Sequence, residues 1–326
     1  MNKTIWLNLD PEKVDVTHLE KRFSQMGCKF IAQAAENNDR EKVLSLAGQA
    51  DVVIATMEPW DEEALRAVKG KVKFIQKYGA GLDTIDIETA GRYGIPVANV
   101  PGANSAAVAE VAMLHMMNVG RRFASCAAGV KAGIWPSTTT GTELDGKTVG
   151  IMGYGFIAKQ VIRMLSGFRV KILVYDAFVN QAEPGHVITF VDSPEELFEQ
   201  SDLVSLHIPL NEQTKGCINR SLFQRMKKGS YLINTCRGGV INEEDLIEAL
   251  ESGRLGGAGL DVMVSEPPQK DNPLMKMDQV FITSHMGAAS LESEHRSQVI
   301  MADAIETFLS GRLPDNVKNR SFLPGE

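Results

Sequence analysis

An arginine, a glutamate and a histidine each stand just past an apolar run in the second half of the chain. Arg237 follows Tyr231–Thr235, Glu266 follows Gly259–Val262, and His285 closes the run Val280–Ser284. These types could bind an anion and move a proton. A guanidinium is planar and permanently charged, so Arg237 can hold a carboxylate. A group that gives a proton in one direction and takes it in the other should titrate near neutrality, which singles out histidine. A nearby carboxylate, Glu266, would favour the imidazolium and orient its ring. Each residue also has a plain reading: a surface ion pair for Arg237, a solvated loop for Glu266, a packed imidazole for His285. Only their convergence on one sheet edge lifts the chemical reading above the plain one.

A phosphate-binding turn supplies that edge with a partner. The strand-like run Thr148–Met152 leads into Gly153-Tyr154-Gly155-Phe156-Ile157-Ala158, after which a helical pattern starts. Gly153 permits the tight turn, Gly155 lets a pyrophosphate reach the backbone, and Ala158 allows close helix–strand packing. The pyrophosphate would sit on the free N–H groups of the helix N-terminus. A second strand ends in Asp176, 21 residues after Gly155 (176 − 155). A carboxylate there accepts bonds from ribose hydroxyls and repels a 2′-phosphate. Ala177 and Phe178 follow, with no arginine to receive that phosphate, so NAD is expected rather than NADP. A glycine-rich turn that binds nothing, or a methyltransferase-type nucleotide site, shares part of this pattern.

Short apolar runs alternate with amphipathic segments throughout, the pattern of parallel sheets covered by helices. The first hundred residues give strands near Ile5–Leu9, Phe30–Ala34, Val52–Thr56, Lys73–Gln76 and Val97–Val100, with helices such as Val16–Met26 and Asp61–Lys69 between them. At Pro101-Gly102-Ala103-Asn104-Ser105 the character changes, and a long helix over Ala106–Gly120 opens a second series. Its strands are Thr148–Met152, Lys171–Asp176, Leu203–Ile208, Tyr231–Thr235, Gly259–Val262 and Val280–Ser284; a helix over Leu291–Ser310 closes the chain. The fold class is therefore α/β, one compact unit followed by a second α/β series, each with the pattern of a parallel sheet. Lys77, at a strand end, is read as a solvated side chain. His207 is read as structural, and His18, His115, His186 and His295 as surface or packing residues.

A net charge of −7 without a basic stripe argues against nucleic acid and anionic membranes as partners. No apolar run approaches the ~18 residues of a membrane span, and the first residues lack the apolar core of a signal peptide. A cytoplasmic protein is expected. Cys28, Cys126, Cys217 and Cys236 form no CxxC pair, so no zinc or other metal site is expected. The apolar helix Ala106–Gly120 suits a homodimer core.

The blocks "GAGLDTIDIETAGRYGIPVANVPGANSAAVAE", "GYGFIAKQV", "DLVSLHIPLNEQTKGCIN", "LINTCRGGVINEEDLIEAL", "GGAGLDVMVSEPP" and "TSHMGAAS" run in order over almost the whole chain. In them the chain resembles the D-isomer-specific 2-hydroxyacid dehydrogenases, the group of phosphoglycerate, D-lactate, formate and glyoxylate/hydroxypyruvate-type enzymes. The resemblance implies a flavodoxin-like catalytic domain, residues 1–101 plus 291–326, interrupted by an NAD-binding Rossmann domain, residues 102–290. It implies NAD as cofactor and a small D-2-hydroxy acid or 2-oxo acid as substrate. Arg237 becomes the substrate-binding arginine, Glu266 the partner acid and His285 the proton carrier. Tyr78-Gly79-Ala80-Gly81 match the backbone cradle for the substrate carboxylate. Val108, Thr214, Thr235 and Asp261 match the lining of the cofactor pocket, beside Gly153, Gly155, Phe156, Ile157, Asp176, Pro209, Cys236 and Gly287. The chain departs from the pattern at Cys236, where alanine or serine is more usual, and at Ala158 in place of the third glycine. Trp135 matches a tryptophan that closes a partner subunit's pocket in some glyoxylate/hydroxypyruvate-type relatives. No regulatory domain is expected after residue 326. Some proteins of this fold act instead as NAD(H)-sensing corepressors, and that remains the alternative.

Overall fold

The computed structural model describes residues 3–36, 39–135 and 140–325. The chain separates into two compact units, one of Met1–Asn104 with Ser290–Glu326 and one of Ser105–Ala289.

The first unit is built on a parallel five-stranded sheet. Its strands are β1 (Thr4–Leu7), β2 (Lys29–Ala32), β3 (Val52–Ala55), β4 (Phe74–Lys77) and β5 (Val97–Ala98), in the order β2-β1-β3-β4-β5. Its helices from the first segment are α1 (Thr17–Gln25), α2 (Arg40–Ala47), α3 (Glu62–Val68) and α4 (Ile87–Arg92). The strand β3, Val52-Val53-Ile54-Ala55, is buried at every position, as expected for a central parallel strand covered on both faces. Asp39, Asp61 and Asp86 cap α2, α3 and α4 by accepting from Lys42, Ala64 and Thr89 N–H. The helix Leu291–Leu309 belongs to this unit, where the ring of Phe308 stacks on Phe74 at 4.6 Å.

The second unit starts with α5 (Ser105–Arg121) and α6 (Phe123–Lys131). A parallel seven-stranded sheet follows: β6 (Thr148–Met152), β7 (Lys171–Tyr175), β8 (Thr189–Phe190), β9 (Leu203–Leu206), β10 (Ser230–Asn234), β11 (Leu255–Leu260) and β12 (Val280–Ile282). Its helices are α7 (Phe156–Leu165), α8 (Pro194–Gln200), α9 (Arg220–Arg225) and α10 (Glu243–Glu251); the closing helix of the first unit, Leu291–Leu309, is then α11. The strand order is β12-β11-β10-β9-β6-β7-β8. From β6 the chain runs outward through β7 and β8, then returns and runs the other way through β9 to β12. The order reverses between β6 and β9, the place where open α/β sheets bind ligands.

Two expectations are corrected by packing. Lys77 is 5% exposed rather than solvated; its ammonium donates to the carbonyl of Thr56 and the hydroxyl of Thr84. The strand β11 begins at Leu255, four residues before the expected start (259 − 255). The pair Gly256-Gly257 suggests a turn by composition, yet β10 pairs with it through a register shift that the small residues accommodate. The long helix α5 turns most of its apolar residues into its own unit, where Ala109, Ala112, Met113, Met116 and Val119 join the core; Leu114 and Met117 remain exposed. Among the described residues no helix is long and apolar enough to cross a membrane.

Candidate active site

The phosphate loop stands at the switch point. Gly153 has φ +96°, and a Cβ built on it would lie 2.4 Å from the carbonyl oxygen of His207, just past β9. Only glycine tolerates both the left-handed backbone and that approach. Gly155 precedes α7 with no side-chain cap, and a Cβ built there meets nothing within 4 Å. The first N–H groups of α7 thus have no side-chain cap and stand at the positive end of the helix dipole. Ala158 is fully buried against the sheet, while Phe156 is exposed and Ile157 half-buried.

Asp176 follows β7 directly. Its Oδ2 accepts from Tyr154 N–H at 2.7 Å, and its Oδ1 from the N–H groups of Phe178 and Val179 at 2.9 and 3.1 Å. These bonds hold the carboxylate in one orientation, and Oδ2 keeps acceptor capacity for a ribose hydroxyl. The open helix start and the fixed carboxylate fit a dinucleotide of the NAD type.

Arg237, Glu266 and His285 follow the adjacent strands β10, β11 and β12. The loop after β10 is braced by Asn234, whose amide donates to Arg237 O and whose Oδ1 accepts from Cys236 N–H and thiol. The backbone of Gly238 lies so close to the loop after β11 that a Cβ there would overlap Met263 C at 2.0 Å. Glu266 accepts from Met263 N–H through Oε1 at 3.0 Å and from His285 Nδ1 through Oε2 at 2.7 Å. Because the carboxylate accepts, Nδ1 carries the hydrogen and Nε2 is the ring atom left for chemistry. His285 has φ +55°, a left-handed conformation unusual for a side chain with a Cβ. It is held by three consecutive N–H groups on one residue: His285 donates to the Asp261 carbonyl at 2.8 Å, and Met286 and Gly287 donate to its carboxylate at 2.9 and 2.7 Å.

Asp261 is thus 1% exposed and occupied by the loop that carries His285. Val108 and Gly287 are in contact range of each other, with a Cβ on Gly287 3.5 Å from Val108 Cγ2. Thr214 braces the loop after β9 by donating to Pro209 O at 2.6 Å. Thr235 is buried, and its hydroxyl has no partner among the described residues. Burial pushes the Cys236 thiol up to about 11, so it is inert as a nucleophile near neutral pH. In the first unit, Tyr78 donates its hydroxyl to Glu294 on α11, while the carbonyls of Gly79 and Ala80 accept from Val100 N–H and the Asn99 amide. The N–H groups of Gly79, Ala80 and Gly81 bond to nothing among the described residues. His207 bonds Ser205, and burial lowers it to about 4, consistent with a structural residue.

Two residues of this region escape a sequence reading. His115 on α5 is fully buried and reaches the Thr283 hydroxyl at 2.9 Å, and Thr283 reaches Asp261 Oδ1 at 2.6 Å. The signal was a lone histidine in an apolar helix, "AMLHMM". A cavity of about 540 Å³ lies at the opposite edge of the second sheet, at the amino ends of β6, β9 and β10, and includes none of the residues above. The carboxyl edge instead carries the loops with the His285–Glu266 pair. Among the described residues no group of three or more His, Cys, Asp or Glu could hold a metal.

A family model for the D-isomer specific 2-hydroxyacid dehydrogenase NAD-binding domain matches residues 113–287. The hydroxypyruvate reductase of Blautia hydrogenotrophica is 34% identical over 96% of this chain and 97% of its own length. The D-3-phosphoglycerate dehydrogenase of Methanocaldococcus jannaschii is 36% identical over 90% of this chain, which spans only 56% of that relative. The NAD-dependent formate dehydrogenase of Staphylococcus aureus, solved in complex with NAD, superposes with a TM-score of 0.85 at 28% identity, covering 96% of this chain and 98% of that one.

Proposed function

Because the chain belongs to the D-isomer specific 2-hydroxyacid dehydrogenase family of NAD-dependent oxidoreductases, we propose that it interconverts a small D-2-hydroxy acid and its 2-oxo acid. The observation that carries this reading is the bond from His285 Nδ1 to Glu266 at 2.7 Å, on loops beside the one that bears Arg237. When bound, NADH supplies the hydride. Gly153, Gly155, Phe156 and Ile157 would hold its pyrophosphate, and Asp176 its ribose. Val108, Pro209, Thr214, Thr235, Cys236 and Gly287 would line the remainder, and Asp261 would contribute by holding Gly287.

Arg237 binds the substrate carboxylate and polarises the C2 carbonyl. His285 gives its Nε2 proton to the carbonyl oxygen as C2 is reduced, and takes it back in oxidation. Glu266 holds the ring and stabilises the imidazolium. The N–H groups of Gly79, Ala80 and Gly81, beside Tyr78, are a carboxylate cradle. The 2-oxo acids named by relatives, glyoxylate and hydroxypyruvate, are the first candidates.

We further infer a cytoplasmic homodimer. Its four cysteines are free thiols. Leu114, Met117, Phe123, Ile134 and Trp135 (80% exposed) put apolar side chains in solvent along α5, α6 and the segment after them. Sedimentation should give a mass near twice the 35.6 kDa of one chain; a single-chain mass contradicts the dimer. The reaction is tested by oxidation of NADH and NADPH with a panel of 2-oxo acids. Turnover with at least one acid and preference for NADH is expected. Tight NADH binding with no turnover across the panel would instead favour the corepressor alternative.

A further inference from the structure

We propose that His115 is a positioning residue for the proton carrier: through Thr283 it fixes the Asp261 carboxylate, and through Asp261 the backbone of His285. The proposal rests on His285 having the role given above.

The chain of contacts is continuous within the second unit. His115 Nε2 lies 2.9 Å from Thr283 Oγ1, Thr283 Oγ1 lies 2.6 Å from Asp261 Oδ1, and the same Oδ1 accepts from Met286 N–H at 2.9 Å. A hydroxyl has one hydrogen. The carboxylate can only accept, so Thr283 donates to it and must receive from His115. That requirement sets the tautomer: His115 carries its hydrogen on Nε2. The bare Nδ1 is buried with no partner among the described residues, and it faces Gly259, where a Cβ would come within 2.9 Å. A histidine placed there for packing alone would leave a buried nitrogen unsatisfied for no return.

The return is at Asp261. Its carboxylate takes three hydrogen bonds, two of them from the residues that immediately follow His285. These bonds hold His285 in its left-handed conformation, from which Nδ1 reaches Glu266. The third comes from Thr283, whose hydroxyl is oriented by His115. The Phe281 ring packs on the imidazole at 5.0 Å, and Asp261 is the charge that acts on it. Burial keeps the ring neutral at working pH by lowering it to about 4, so it remains a fixed donor there. His285 is faced by Glu266 through its ring and by Asp261 through its backbone.

The test compares His115→Leu, which removes the donor, with His115→Gln, whose amide can still donate to Thr283. Two readouts are taken at matched folded fraction: kcat with the KM for NADH, and the titration of the His285 ring followed by NMR in the protein without cofactor. We expect His115→Leu to lower kcat about tenfold with the KM for NADH within twofold, and to shift the His285 titration. His115→Gln should restore both, and Thr283→Val should reproduce the loss without adding to it in the double variant. An unchanged kcat and titration in His115→Leu overturns the proposal, as does a loss that Gln fails to restore. If the wild-type protein reduces no 2-oxo acid, the proposed function fails, while the NMR titration still decides the positioning role.

Discussion

Both units carry polar groups at the carboxyl ends of parallel strands, yet they use them in opposite ways. In the first unit, Glu58 is fully buried and accepts four bonds: from the Asn8 amide, from Thr56 N–H and hydroxyl, and from Trp60 Nε1. Lys77 spends its donors on Thr56 O and Thr84. In the second unit, Glu266 and His285 each keep about a third of their side-chain surface in solvent, and His285 Nε2 is uncommitted to Glu266. A charged residue at a strand end is therefore not a pointer to chemistry by itself. What separates the two regions is whether its hydrogen-bonding capacity is consumed within the fold or held in place and left open.

This contrast sets the expected effects. The largest belongs to the carboxyl edge of the second unit: Arg237→Met should lower kcat/KM for a 2-oxo acid about 10³-fold. An unchanged kcat/KM would remove Arg237 from the substrate. Next, Glu58→Ala strands buried donors in the first unit and should cost about 3–5 kcal/mol in denaturant unfolding, with the NADH affinity of the remaining folded protein retained. A cost below about 1 kcal/mol would erase the difference between the two regions.

A smaller effect comes from pH. His115 binds a proton near 6.5 when unfolded but only near 4 when folded. Stability is full above pH 6.5 and falls as pH drops toward 4, by about 3 kcal/mol from this residue, since the unfolded chain takes up the proton first. His207 acts in the same direction. Urea unfolding of His115→Gln should show a flatter decline across that window, and an identical decline would contradict it. The smallest is a preference: Asp176→Ala should raise the NADPH-to-NADH ratio of kcat/KM about 10-fold to 100-fold, and an unchanged ratio removes Asp176 from the ribose.

The alternation of β-branched runs with amphipathic segments made the parallel α/β fold legible, and the same runs locate the strand ends where Arg237, Glu266 and His285 stand. The helices α2, α4 and α6 were not legible. The first two are short and polar enough to lack a clear period and depend on the caps Asp39 and Asp86, while α6 starts only after Arg122 adopts φ +50°. The fate of Lys77 was hidden because its partners come from other loops, 21 and 7 residues away in sequence. His115 was hidden more deeply, since its partner Thr283 lies 168 residues along the chain. Sequence pattern reports which face of an element is apolar; it does not report which distant hydroxyl waits beneath that face.

The central claim is that His285, held by Glu266, moves the proton. The direct measurement is single-turnover oxidation of NADH by a 2-oxo acid that the wild-type protein reduces, compared with His285→Gln, with NADH binding followed separately by fluorescence. The account predicts an unchanged affinity for NADH and a rate lower by about 10²-fold to 10⁴-fold. A His285→Gln protein that binds NADH normally and turns over at the wild-type rate would contradict it.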